Sequence, residues 1–188
     1  MQLILQTANV TADAKNCSYP NKVTVTNASE LQEAVKMDHV CAEYKNNYRS
    51  IDNFLKSNVV VMDLDNDHTD DPNEWITAEK LEELLPDISY AVAPSRNHMV
   101  AKNGKAARPK YHVYFEIEEI TDSTEYAALK AAIHNEYPFL MGMLWMQRDL
   151  FSVLIVEKQS GTKDGQPLMK TLWLRLLMKK RLLQVVQS

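Results

Sequence analysis

The apolar run Val59-Val60-Val61-Met62 leads straight into Asp63-Leu64-Asp65-Asn66-Asp67, so a strand-forming segment ends in carboxylates spaced two residues apart. Side chains on a strand alternate faces, which sends Asp63 and Asp65 out on the same side, about 7 Å apart. Two carboxylates presented by a rigid buried strand make a site for a divalent cation, Mg²⁺ or Mn²⁺. Downstream, Ser95-Arg96-Asn97-His98 opens a basic connection that runs through Lys102, Lys105, Arg108 and Lys110 to His112. Mg²⁺ takes one or two carboxylates together with substrate phosphates, and Arg and Lys neutralise the remaining phosphate oxygens. A nucleoside triphosphate suits that combination, and nucleotidyl transfer is the chemistry it would support.

The elements that must position these groups follow from periodicity. The spacing predicts a strand ending at Asp63-Asp65 and an acidic loop, His68-Thr69-Asp70-Asp71-Pro72. A helix follows, with Thr77 as N-cap, Leu81, Leu84 and Leu85 inward, and Pro86 as its stop. Ile88 to Ala93 reads as a second strand. In Tyr111-His112-Val113-Tyr114-Phe115-Glu116-Ile117 the odd-numbered residues are apolar, so a third strand buries that face and leaves His112 on a polar one. A helix from Asp122 or Ser123 carries Tyr126, Leu129, Ala132 and Ile133 as its apolar stripe and ends before Pro138. Earlier, Ser29-Glu30-Leu31-Gln32 has capping-box spacing for a short helix, and the segment around Tyr44, Tyr48 and Arg49 reads as a solvated helix or loop. The sum is an α+β pattern.

Composition sets the bounds. At 188 residues there is room for one domain with a sizeable core. The two cysteines, Cys17 and Cys41, have no paired metal spacing and suit a reducing cytoplasm, the expected location. No run of about 18 apolar residues is present, and the apolar start Met1 to Leu5 is too short for a signal peptide. Composition breaks near Leu140. Residues 141–188 hold only Asp149, Glu157 and Asp164 against eight Lys and Arg, and they hold five of the nine Met and two of the three Trp. The expected division is therefore 1–140 as the folded core, with its chemistry in 58–117, and 141–188 as something else.

Apolar-Asp-x-Asp on one strand, the Ser-Arg-Asn-His turn, and Arg108-Pro-Lys-Tyr-His-Val-Tyr-Phe115 on a later strand together resemble the archaeo-eukaryotic primase superfamily. The likeness is greatest to the primase-polymerase domains of phages and integrative elements of Gram-positive bacteria, often fused to a helicase. It covers about residues 15 to 140. It implies an RRM-like catalytic core that makes or extends primers from nucleoside triphosphates on a DNA template during replication of a mobile element, with a helicase of the same element as a possible partner. By position, Asp63 and Asp65 match the metal-binding carboxylates and His112 the histidine that contacts the nucleotide phosphates. Ser95, Arg96, Lys105, Arg108 and Lys110 would serve the nucleotide with it, Lys110 standing where many members have Ser.

That family places a further metal-binding Asp shortly after the position of Pro138, and here Phe139-Leu-Met-Gly-Met-Leu-Trp-Met-Gln147 contains no acidic residue. Met and Trp have single codons, so the bases beneath them are fixed. Reading one base earlier forces Gly from Met141-Gly142, Asp from Trp145-Met146 and Ala from Met146-Gln147. The expectation is an out-of-frame tail over 141–188, a truncated core and little or no polymerase activity. A basic amphipathic helix over Leu168 to Val186 is the competing reading of the tail. Among functions, a haloacid-dehalogenase-type phosphatase also begins with an apolar strand and Asp-x-Asp, but usually continues Gly-Thr rather than Asn66-Asp67. A rolling-circle nuclease needs a second His beyond His112-Val113. A non-catalytic nucleotide- or DNA-binding remnant is the third alternative. Singly, an acidic strand end or a basic loop is often no more than solvated surface, and His68, His98 and His134 are read that way.

Overall fold

The computed structural model describes residues 1–102, 104–142 and 154–156. The chain is α+β: two antiparallel sheets and three α-helices lie among the described residues. The first sheet, ordered β2-β1-β3, is built from β1 (Leu3–Thr7), β2 (Asn21–Val25) and the short β3 (His39–Val40), with α1 (Ala28–Ala34) between β2 and β3. The apolar start is thus a strand of this sheet. The cap of α1 is Asn27, whose side chain accepts from Glu30 N, while Glu30 reaches back to the Thr26 amide. The reciprocal bonding expected at Ser29 occurs two residues earlier.

The second sheet carries the carboxylates. Its central strands are β5 (Phe54–Leu64) and β7 (Tyr111–Ile120), flanked by β4 (Glu43–Tyr44) beside β5 and β6 (Tyr90–Pro94) beside β7. Between β5 and β6 runs α2 (Ala78–Leu84), capped by Thr77 as expected. After β7 comes α3 (Ser123–Glu136), capped by Asp122. Next, β8 (Met141–Gly142) pairs with the far end of β5, and β9 (Leu154–Val156) pairs with β6. From β5 to β8 the order along the chain is βαββαβ, and the order across the sheet is β8-β5-β7-β6 with every neighbour antiparallel. The compositional break near Leu140 is therefore not a break in the sheet. The other expectations for the tail, including a helix over Leu168 to Val186, lie outside the described residues.

Both faces of this sheet are covered, which explains the continuous apolar run in β5. One face packs on α2 and α3 through Val60, Met62, Leu64, Val113 and Phe115 against Leu81, Leu85, Leu129 and Ile133. Leu84, expected inward, is 38% exposed; the helix is only seven residues long, and Leu81 and Leu85 already take the contact stripe. The opposite face packs on the first sheet and α1 through Val59, Val61, Ala91, Ala93 and Tyr114 against Leu3, Leu5, Val25 and Leu31. The polar face expected for β7 is thus interior: Tyr114 and His112 are buried because the first sheet lies over them. In the segment expected to be a solvated helix or loop, Glu43–Tyr44 form β4 at the edge of this sheet, and an exposed 3-10 turn follows at Lys45–Asn47, as expected. No helix among the described residues is long and apolar enough to cross a membrane.

Candidate functional site

Strand pairing assembles the site in rows on the face shared with the first sheet. Deepest is Ala91–Tyr114–Val61, and next comes Ala93–His112–Asp63. One step further out, Ser95 N donates to Lys110 O at 2.9 Å, and Lys110 Nζ lies 3.4 Å from Asp65 Oδ1. A row is two residues deeper than the next, so Tyr114, His112 and Lys110 share a face, as do Val61, Asp63 and Asp65. The packed sheet interior therefore passes into an acid–imidazole row and then a charged mouth. Asp63, Asp65, Ser95, Lys110 and His112 converge there. Arg96 follows Ser95 and lies 3.7 Å from the buried Asp38, the residue just before β3.

Beyond Asp65 the strand is ended by Asn66 in a left-handed conformation, φ 53°, which Asn tolerates. Its buried amide donates to Ile76 O and Pro109 O and accepts from Ile76 N. That ties the carboxylate strand to both neighbouring connections. Arg108 completes the tie: it donates to Asn66 O at 2.9 Å, Thr69 O at 3.0 Å and Ala106 O at 3.3 Å, lies 2.6 Å from Asp70 Oδ1 and covers the Trp75 ring. At 1% exposure its guanidinium is a clamp inside the fold. The sequence reading put Arg108 among the phosphate-facing cations; the structure uses its donors on backbone carbonyls instead, because the acidic loop folds over it. Lys105 remains at the surface, 3.3 Å from Asp67 Oδ1, an oxygen that Lys110 Nζ approaches at the same distance. Gly104, at φ 77°, makes the turn that brings Lys105 back beside Lys102.

The electrostatics set a largely buried carboxylate, Asp63, beside partly exposed carboxylates that lysines approach. Burial and then the neighbouring Asp65 push the Asp63 carboxyl up to about 7, and Asp63 Oδ1 is a buried oxygen with no hydrogen-bond partner. His112 Nε2 lies 3.5 Å away, but burial and then His39 push its imidazole down to about 3, so the contact is not an ion pair at neutral pH. Burial alone would raise the Asp67 carboxyl, yet Lys110 and Lys105 hold it below the usual range. Lys130 on α3, whose ammonium burial disfavours, adds a positive field at Asp63.

Among the described residues no group of three or more His, Cys, Asp or Glu is arranged to hold a metal ion. Two carboxylates with an orphaned buried oxygen are a donor set that Mg²⁺ accepts when phosphate oxygens complete it, so the residues fit a cation that arrives with its substrate. The direct partner of Asp63 across the β5–β8 pairing is Met141, half exposed on the same face. His68 is exposed, His98 contacts the Lys110 backbone, and His134 Nδ1 meets Leu140 O at 2.7 Å; all three stand outside the site.

Sequence reasoning missed three contributors. Asp38 and His39 lie on a segment with no strand periodicity, and their role comes from tertiary packing. Lys130 falls on the expected helix, but nothing local marks it as facing Asp63. Comparison of the chain with family models, with curated proteins and with solved structures finds no match.

Proposed function

We propose that this site binds a nucleoside triphosphate with a divalent cation, and that the chain derives from a template-dependent primase-polymerase whose catalytic set is incomplete here. The single observation that carries the reading is the row Asp63–His112 set beside Asp65–Lys110, two carboxylates facing an imidazole and an ammonium at one end of the sheet. The βαββαβ order with β5 and β7 central is the arrangement of an RRM-like core, and it supports the same reading. Asp63 and Asp65 would hold Mg²⁺ or Mn²⁺, which when bound would neutralise the triphosphate and acidify an attacking 3′-hydroxyl.

The chain's own residues do the rest. Lys110 and Lys105, now spread over Asp67, can turn to phosphate oxygens, and Arg96 stands at the same rim, next to Ser95. His112, neutral and held at the row's centre, can donate one N–H to a phosphate without the cost of burying a second charge. The covered face buries Asp63 Oδ1, while Asp65 beside it is about a third exposed.

Met141, the residue paired with Asp63 on β8, adds no carboxylate to the site, and the Asp that the shifted frame forces from Trp145-Met146 lies outside the described residues. A primer-synthesis assay tests both halves. The chain as written should incorporate little or no nucleotide, whereas a version restored by one base near the codons for Phe139 and Leu140 should incorporate it in a way that Asp63→Asn abolishes. Robust synthesis by the unrestored chain, or coding DNA with no lost base, contradicts the defective-copy reading. Phosphate release from simple phosphoesters would favour a phosphatase.

A further inference from the structure

The floor of the site contains a polar link that the nucleotide reading leaves unused. His39, on β3 of the first sheet, is buried, and its Nε2 lies 2.8 Å from the hydroxyl of Tyr114 on β7. Its Nδ1 lies 3.1 Å from Met37 O, an oxygen that can only accept, so Nδ1 carries the hydrogen. The Nε2 lone pair then faces Tyr114, and the Tyr114 hydroxyl donates to it. Both rings bear on His112: His39 lies 6.4 Å from it, centroid to centroid, at 66°, and Tyr114 lies 6.4 Å from it at 81°. With Asp63 Oδ1 3.5 Å from its Nε2, His112 has three neighbours here, two of which are locked to each other across the two sheets. The preceding residue, Asp38, accepts from Ala12 N at 2.9 Å and Asp13 N at 3.0 Å and lies 3.7 Å from Arg96. The dipeptide Asp38-His39 thus touches the supports of both Arg96 and His112.

We propose that His39 is a positioning residue for triphosphate binding: through the Tyr114 hydroxyl it fixes the orientation of the His112 imidazole, so the first sheet is part of the site. This rests on the nucleotide reading of the site. A buried hydrogen bond between a side chain on one sheet and a side chain on another fixes a lateral position that apolar packing alone leaves free to slide. Removing it lets His112 sample other rotamers, and its N–H is then aimed at a phosphate for only part of the time. The cation-binding carboxylates, held by β5 and Asn66, keep their places.

Binding of a fluorescent ATP analogue with Mg²⁺, measured on the full chain well below its melting temperature, tests this. His39→Phe keeps a ring but takes away the acceptor, Tyr114→Phe deletes only the donor hydroxyl, and His39→Gln retains an acceptor. The expected result is a loss of affinity of about five- to tenfold for His39→Phe and for Tyr114→Phe, the worth of one buried hydrogen bond. The double variant should be no weaker than either single one, and His39→Gln should recover most of the affinity. Should His39→Phe fail to fold, the isosteric Tyr114→Phe against wild type carries the test. Wild-type affinity in folded variants, whatever their melting temperatures, overturns the inference and leaves the nucleotide reading standing. No binding of the Mg²⁺ nucleotide by the wild-type chain overturns that reading and this inference with it.

Discussion

Asp63 and His112 stand directly opposite one another on β5 and β7, with Nε2 3.5 Å from Oδ1, and burial drives their protons in opposite directions, the carboxyl up to about 7 and the imidazole down to about 3. The same pair at a surface would be a weak ion pair. Under the first sheet each charge is penalised, so the row favours the neutral form of both groups.

Asp63→Asn should therefore stabilise the protein at alkaline pH. The folded pKa lies above the unfolded value of 3.8, so folding favours the protonated form, and stability falls as pH rises through the window from 3.8 to about 7. Above it the ionised group costs the fold on the order of 4 kcal/mol at about 1.4 kcal/mol per pKa unit. Asn removes the charge but not the polarity, so a gain of about 1 to 3 kcal/mol is expected at pH 8 and none below pH 4, read from urea melts. Equal stability of the two proteins at pH 8 would contradict the buried, uncompensated carboxylate.

The histidines give the opposite slope. His112 titrates near 3 folded and near 6.5 unfolded, and burial shifts His39 in the same direction, so the unfolded chain binds the extra protons and stability falls as pH drops below about 6.5. In the wild type Asp63 offsets part of this between 7 and 3.8. In an Asp63→Asn background the offset is gone, and His112 alone should cost on the order of 3 kcal/mol between pH 6.5 and 4. Denaturant midpoints across that range should fall more steeply for the variant than for the wild type.

How much of this was legible in the sequence differs by element. β5, α2, β7 and α3 carry their signals locally, in the run before Asp63, the Thr77 and Asp122 caps and the alternation from Tyr111, and these place Asp63, Asp65, Ser95, Lys110 and His112 together. The first sheet was not legible. β3 is two residues long and gains its meaning from pairing with β1, and nothing local says that its His39 meets Tyr114 across the interface. Arg108 was read with the right charge and the wrong environment, because burial of a guanidinium depends on the loop that folds over it.

Arg108→Ala should be the most damaging change on the basic connection. The Asp70 partner is 87% exposed and contributes little, but the carbonyls of Asn66 and Thr69 lose their donor and Trp75 loses its cover. A loss on the order of 3 kcal/mol is expected, against under about 0.5 kcal/mol for the exposed Lys105→Ala, in thermal or urea unfolding. Similar small effects for both would show that the clamp does not hold the acidic loop.

Met141→Asp should add a carboxylate beside Asp63, since the two positions are direct partners on one face. Nucleotide-free Mn²⁺ affinity should rise about tenfold or more at pH 8, and stability without metal should fall, because a third negative charge joins two already in conflict. Unchanged Mn²⁺ affinity would mean that position 141 does not reach the site.

The most direct measurement is a Mn²⁺ titration of the wild-type chain at pH 8, followed by electron paramagnetic resonance, with and without ATP. Weak binding of Mn²⁺ alone, tightened by ATP and abolished by Asp63→Asn and by Asp65→Asn, is the predicted result. Binding that ignores ATP, or that survives loss of either carboxylate, would contradict a site built to take a cation together with a triphosphate.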